Sequence, residues 1–585
     1  MSLFKIPTPH PNLSRNGFDL SSRRVFSNSV GQLLPVGCWE VNPSEKFRIS
    51  VQDLVRTQPL NTAAFARCKE YFHFFFVPYP ALWMYSDAFF TGVVNPDSAA
   101  RRSSTGTTNY DWVPKSAPYF DLDKIIDRLT GKSYNSVDAL GYGRAFGAFK
   151  LLHYLGYGVN SDGEVADLQS TESASVISGA FNGTSKGHRS SVLKFNAHSG
   201  TGAKLAIFRL LAYQRIYNDF YRNQQWEKSD VESFNIDWLK DDNLSEVPVD
   251  IVEKALTLRY RQWNKDLITS SIPTPNYNEG IFELPALVGS SGYGIERSSL
   301  GIPSLKTNSQ DGLRSISPTD LRAMFALDKM LEATRRAHGL DYQSQIAAHF
   351  GFDVPESRKP MAHFIGGFDN AISIGEVIAT ASGTAGESHS VVGQVTGKGI
   401  GSLNSHAIEF TSKEHGLIMC IHSIVPQPDY NAIFVDPFNT KLNREDFFQP
   451  EFQDLGYVPL KSSDLAFFRS DSATNSREVN NKVVGYVPRY HEYKTARDVV
   501  FGDFISGKSL SAWTTPRWDF VNFKKVSNKV SVDLSASNFM IDPGIMDTIF
   551  AVQYGGSSST DQFLVNSYFN VKAVRPMSVT GLSSL

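Results

Sequence analysis

The segment Gly502–Ser509, GDFISGKS, matches the phosphate-loop pattern G-x-x-x-x-G-K-[ST] in full. In such a loop small residues let backbone N–H groups wrap a phosphate, the lysine reaches its outer oxygens and the hydroxyl holds magnesium. That chemistry needs a buried strand before the loop and a helix after it. Val499–Phe501 can end a strand, but Phe504 and Ile505 are bulky where the backbone must approach phosphate. The stretch from Trp513 to Pro516 then breaks any following helix early. No apolar run ending in Asp supplies a magnesium partner, so the match reads as coincidence in a chain rich in Gly, Lys and Ser.

Two further patterns fail on context. Gly183–Gly187, GTSKG, fits G-x-S-x-G, but a nucleophile elbow needs a hydrophobic strand before it, and the flanks ISGAFN and HRSS are soft and polar. His406, His415, Cys420 and His422, with Glu409 and Glu414 among them, are metal-ligand types without metal-ligand spacing. Cys420 and His422 share one face of a strand with apolar neighbours, which points to a packed or hydrogen-bonded core role. His491 and Glu492, beside Arg489 and Lys494, read as a solvated or interface charge cluster. The sequence therefore predicts no enzyme: no catalytic residue, no cofactor and no metal.

Arginines interleaved with aromatics are a different signal. They occur at Arg209–Arg222 and at Thr257–Lys265, which holds Arg259, Tyr260, Arg261 and Trp263, and Arg15, Arg23 and Arg24 lie near the start. Such mixtures hold single strands by stacking and phosphate contact. They are equally the residues enriched in protein–protein interfaces, the reading preferred here. If nucleic acid is bound, the expected contacts are Arg23, Arg24, Arg259 and Arg261.

The elements that must carry these residues are mostly strands. Tyr71–Trp83 reads YFHFFFVPYPALW, and five of the six residues from Tyr71 to Phe76 are aromatic. A strand with one wet face alternates; this one offers water nothing, so it is predicted to be buried on both faces and ended by Pro78 and Pro80. Strands are also expected at Phe47–Leu54, His415–Val425 and Asn481–Val487. Helices are expected at Asp121–Leu129, Leu205–Trp226 and Pro318–His338, the last with Ser317 as N-cap and Gly339 as stop. Residues 1–30 read as an extended arm and 156–203 as a surface-exposed insertion loop within a single domain spanning 1–585.

Composition narrows the class. Charged residues are 20% and aromatics 12%, with 43 Gly and 28 Pro, which suits a loop-rich β protein. A net charge of -2 argues against a nucleic-acid binder over its whole surface, though not against one basic face. Cys38, Cys68 and Cys420 give neither a disulfide framework nor a zinc ribbon. With no signal-peptide core and no spanning segment, the sequence predicts a soluble protein made in a cytoplasm, without a membrane partner.

Several collinear blocks carry a resemblance. RNGFDLS (Arg15–Ser21), RTQPL (Arg56–Leu60) and FHFFFVPYPALW (Phe72–Trp83) are followed by FRLLAYQRIYNDFYRN (Phe208–Asn223), LRYRQWNKD (Leu258–Asp266) and LRAMFALDKMLEATRRAHGLDY (Leu321–Tyr342). HFGFDVPESRKPMAHFIGG (His349–Gly367), EHGLIMCIHSIVPQPDY (Glu414–Tyr430) and VVGYVPRYHEYK (Val483–Lys494) complete the series. In this order they resemble the major capsid proteins of microviruses (Microviridae), small icosahedral bacteriophages with single-stranded DNA. The resemblance implies a single eight-stranded antiparallel jelly-roll β-barrel with long insertion loops containing a few helices. It further implies self-assembly into a T=1 icosahedral shell around circular single-stranded DNA, hence a virion location. The implied partners are further copies of the chain, the genome, a small basic DNA-packaging protein, a DNA pilot or minor capsid protein and a host cell-surface receptor. Rival readings are a nucleotide-binding enzyme built on GDFISGKS and a carbohydrate-binding jelly roll.

Overall fold

The aromatic run lies in strand β5 (Cys68–Pro78), and nearly every side chain from Phe72 to Pro78 is buried. The computed structural model describes residues 15–61, 64–92, 116–131, 137–166, 195–196, 201–236, 246–275, 282–283, 294–297, 303–306, 318–336, 342–351, 361–378, 395–469, 473–515, 522–526, 529–533, 535–552 and 561–579. Within them β5 is one of ten strands in a single curled sheet: β1 (Asn16–Asp19), β2 (Ser22–Asn28), β3 (Leu34–Val41), β4 (Lys46–Thr57), β5, β6 (His363–Ile378), β7 (Val395–Asn404), β8 (Ile408–Thr411), β9 (Gly416–Pro426) and β10 (Phe563–Arg575).

All pairings in this sheet are antiparallel, and its order is β2–β10–β4–β7–β6–β5–β9–β3, with β1 also on β10 and β8 also on β4. With the short β1 and β8 set aside, successive strands change halves at every step but β5 to β6: β2, β4, β7 and β10 form one half, and β3, β5, β6 and β9 the other. That alternation is jelly-roll topology. β6 makes the corner, since residues 363–372 pair with β5 and residues 373–378 with β7. A register shift between Phe364 and Gly366 bends it. Gly366 has φ 151°, and a Cβ there would come within 2.6 Å of Ile408 Cδ1.

The two halves enclose one core. Phe72, Phe74 and Phe76 of β5 point inward with Phe47, Ile49 and Val51 of β4 and Phe569 and Val571 of β10. Phe75 and Val77 point the other way, with Leu417, Met419 and Ile421 of β9, into a second core. That core is built by the insertion between β5 and β6, through α1 (Leu122–Thr130), α2 (Arg144–Leu155) and α3 (Phe208–Ile216). The expectation of a strand without a wet face is met: the subunit's own insertion covers one outer face. At roughly 1.5–3 kcal/mol per fully buried large apolar side chain, these aromatics fix the register strongly.

α1 forms as its spacing predicts. The Asp121 side chain accepts from the Asp123 N–H at 3.0 Å, and Leu122, Ile125, Ile126 and Leu129 face the core. α3 continues into a π-helical turn, Tyr217–Tyr221, so the expected long helix is shorter and irregular. The expected helix at Pro318–His338 is present as α4 (Pro318–Arg336), while Ser317 and Gly339 lie outside the described residues. Val483–Pro488 is a strand but not of the main sheet; it pairs with Tyr457–Lys461 inside the β9–β10 insertion.

Two expected segments differ from their reading. Of residues 1–30, the part from Asn16 is paired backbone, β1 and β2 both lying against β10; 1–14 are outside the described residues. The pairing partner β10, which the motif reading passed over, is the cause. In 156–203 the beginning is core rather than surface, with Tyr157 and Val159 buried beside Leu152 and Phe120, and residues 167–194 and 197–200 are outside the described set.

Candidate nucleic-acid interface

The phosphate-loop match folds into something else. Val499–Val500 is a two-residue strand parallel to Tyr430–Asn431, and Gly502–Phe504 and Ser511–Trp513 are single 3-10 turns with no α-helix between or after them among the described residues. Loop amides are engaged within the chain: Ser506 N–H donates to Asn431 Oδ1 at 3.1 Å and Lys508 N–H to the Ile505 carbonyl at 3.0 Å. GTSKG lies outside the described residues. The histidines disperse, His406 against Phe368, His415 stacked on Phe90 at 4.4 Å, and Cys420 and His422 inside the barrel. Among the described residues no three His, Cys, Asp or Glu side chains converge as a metal-ligand set.

The barrel interior does hold a polar cluster. His422 Nε2 is 2.8 Å from Glu70 Oε1, and its Nδ1 is 2.8 Å from Asn28 Nδ2. Ser567 donates to Asp53, whose carboxyl also meets that of Glu70. Burial, followed by the neighbouring Glu70, pushes Asp53 up to about 8; burial pushes Glu70 up to about 7 and holds His422 down at about 3. The cluster is sealed from solvent, so it is structural chemistry.

The four expected arginine contacts are not brought together. Arg24 points inward: its guanidinium donates to the Val36 carbonyl and lies 5.4 Å from the Trp39 ring, bridging the open seam between β2 and β3. Arg259 is held by Gln214 Oε1 at 2.7 Å, by Asp230 and by the Tyr217 ring at 4.8 Å. Arg261 sits 3.9 Å above the Tyr71 ring and donates to Ser423 Oγ at 2.8 Å. Burial lowers the pKa of both Arg24 and Arg261 from the ordinary arginine value. Arg23 alone is exposed on the sheet surface, its Nε donating to Asn566 Oδ1 at 2.7 Å.

Arg23 belongs to a face the motifs did not reveal. While β9 and most of β5 are covered on their outer side, the outward side chains of β2, β10 and β4, and those described on β7 at Ile400, Ser402 and Asn404, are exposed or half-exposed. Cross-strand register sets them in rows: Arg23–Tyr568–Gln52–Asn404, Val25–Asn566–Leu54–Ser402, and Leu564–Arg56–Ile400. Towards the far end Asp19–Lys572–Arg48–Glu409 make a row in which two exposed cations are flanked by two exposed carboxylates. Val25 is 68% exposed and Tyr568 43%. The signal in sequence was period-two spacing, Lys46, Arg48 and Arg56 within a strand whose intervening residues are all buried.

The chain is thus a jelly-roll protein: one sheet face is packed under its own insertion, the other is left exposed, and its polar interior is sealed. The family model described as capsid protein (F protein) matches residues 5–119 and 289–585. The chain belongs to that family, the microvirus-type phage capsid proteins, whose role is structural and not enzymatic. A related protein, capsid protein VP1 of Chlamydia phage 1, is 23% identical over 275 residues, covering 46% of this chain. The match spans 43% of that relative's length, a little under half. Among the described residues no helix is long and apolar enough to cross a membrane.

Proposed function

We propose that this chain is the wall subunit of a T=1 icosahedral shell that encloses a circular single-stranded DNA genome. The observation that carries the reading is the asymmetry of the jelly roll. The insertion between β5 and β6 roofs one half with a continuous apolar core, and the opposite half shows a bare polar and basic sheet. A wall needs two such unlike faces, one turned to solvent and the next layer, the other to the contents. Membership of a capsid family supports self-association, and closed symmetry hides the apolar residues left exposed on a single copy.

In this reading residues 1–585 act as one capsid unit. A small basic packaging protein would neutralise the genome that a chain of net charge -2 cannot, and a pilot or minor capsid protein and a host receptor complete the partners. Electron microscopy of the purified full-length protein tests it. Uniform icosahedral particles are expected. A persistently small monomer under all assembly conditions would overturn the shell reading and leave a monomeric, carbohydrate-binding jelly roll as the better account.

A further inference from the structure

We infer that the bare outer face of β2–β10–β4–β7 is the surface that binds single-stranded DNA, an assignment that rests on the shell reading above. Three observations on this face converge. The first is charge. Among the described residues Arg23, Lys46, Arg48, Arg56 and Lys572 are exposed there against two carboxylates, Asp19 and Glu409, whereas the whole chain is -2. Five cations less two anions leaves +3 on one sheet of an otherwise slightly acidic subunit, the local basic footprint expected of a polyanion site.

The second is how those charges are held. Lys572 pairs with Asp19, and Arg48 with Glu409 at 3.9 Å, but these side chains are mostly exposed and such pairs contribute little. A phosphate can replace the carboxylates at small cost. Arg56 stands between Leu564 and Ile400, and among the described residues no carboxylate pairs with it. Arg23 is steadied by the neutral amide of Asn566 and keeps its charge available.

The third is the stacking platform. Tyr568 lies directly across from Arg23 on β10, flanked on β4 by Gln52, so an aromatic ring, a guanidinium and an amide share one row. Outward side chains along each strand recur about every 6.8 Å and neighbouring strands are about 4.8 Å apart, a grid on which successive bases can stack while phosphates reach the cations. Amides, hydroxyls and cations alternate here with the exposed apolar side chains of Val25, Leu564 and Ile400 on a paired sheet, so bases have apolar as well as polar surface to lie on, which suits sequence-tolerant binding. A two-fold contact of this face with the same face of a second copy would instead bring its five cations against one another.

The test uses the full-length protein, a fluorescein-labelled oligothymidylate of about thirty nucleotides, anisotropy over a salt series, and electron microscopy of the same samples. The unmodified chain should bind, with affinity falling as salt rises. The triple variant Arg23→Ala, Arg56→Ala, Tyr568→Ala should bind at least about tenfold more weakly, and its log-affinity against log-salt slope should flatten by about 1.4, two lost phosphate contacts at about 0.7 each. Arg444→Ala, on the distant β9–β10 insertion, should leave both unchanged. Unaltered affinity and slope in the triple variant, or no salt-sensitive binding by the parent, would overturn the assignment. So would a variant that binds normally but no longer forms particles, since the face would then be a contact between copies. Particle formation by the parent judges the shell reading separately.

Discussion

His422 Nε2 lies 2.8 Å from Glu70 Oε1, and neither side chain has any surface exposed. The pair sits between β9 and β5, with Asn28 of β2 closing the other side of the ring and Asp53 of β4 behind Glu70. Asn28 Nδ2 can only donate, so Nδ1 of His422 accepts and its proton is on Nε2, aimed at Glu70. The second oxygens of Asp53 and Glu70 have no donor among the described residues, although the two carboxyls touch. Two carboxylates cannot share such a site, so the pair retains a proton.

A pH dependence follows, and its sign is set by the direction of each shift. Asp53 and Glu70 are raised in the folded chain, so their contribution is fully present below about pH 4 and is lost as pH rises through about 7 and about 8. His422 is depressed; its contribution is present above about 6.5 and is lost as pH falls towards about 3. Within this cluster it is the carboxyl pair that titrates between pH 6.5 and 8, so its contribution to the stability of the unassembled subunit should fall across that window. Denaturant midpoints measured at pH 6 and pH 8 check this. Glu70→Gln keeps an acceptor for His422 while removing one charge, and should flatten the decline; a decline as steep as the parent's would refute the assignment.

Phe74 and Phe75, neighbours in sequence, should fail in different ways. Phe74 packs in the barrel against Trp39, Phe368 and Phe569, whereas Phe75 meets Phe220, Tyr221 and Phe364. Truncating either to Ala should cost about 3–5 kcal/mol. With Phe74→Ala the loss should appear as a lower denaturant midpoint for the whole chain. With Phe75→Ala limited proteolysis should cut first near Tyr217–Tyr221, the π-helical turn that delivers two of its partners. Asp at either position adds an unpaired buried carboxylate and should abolish folding and particles; soluble particle-forming variants would mean the strand is misread.

The fate of these elements shows what a single sequence discloses. β5 was legible because aromatics on both faces exclude every wet-sided alternative, and α1 because its cap and apolar spacing agree. α2 was not: Gly143 and Gly147 punctuate it like a loop, yet a Cβ at Gly147 would come within 2.9 Å of Leu258 Cβ, so that glycine serves packing. β10 has near-perfect alternation but no motif. The bare face was the least legible, since it exists only through register: Arg23 meets Tyr568 across most of the chain's length. Arg259 and Arg261 are held inside the chain for a reason the sequence alone does not show. Their aromatic neighbours in sequence are matched by aromatic partners in space, Tyr217 and Tyr71, that belong to the same subunit.

Lys508→Ala should leave nucleotide binding unaffected, because the parent should show none. The loop amides that would cradle phosphate are spent on Asn431 and Ile505, and 3-10 turns stand where a helix should begin. Equilibrium dialysis with labelled ATP and magnesium checks it. Saturable binding by the parent that Lys508→Ala removes would restore the nucleotide-binding reading.

The seam between β2 and β3 should depend on one buried ion pair. Lys150 of α2, 3% exposed, places Nζ 2.6 Å from Asp561 Oδ1 and 2.7 Å from Gln32 Oε1. Asp561 also accepts from Ser27 at 2.5 Å and Ser29 at 2.9 Å; burial opposes its charge, but Lys150 and the serines hold its pKa below the usual carboxylate value. The lysine thus ties the helix to the end of β2, to the β2–β3 turn and to the residue pair leading into β10. Lys150→Met strands Asp561 without its cation and should cost about 3–5 kcal/mol, whereas Lys150→Met with Asp561→Leu should recover much of that. Denaturant unfolding of the two single variants and the double variant gives the coupling. Strictly additive losses would show that the pair is incidental and that the Arg24–Val36 and Tyr154–Ser27 bonds alone close the seam.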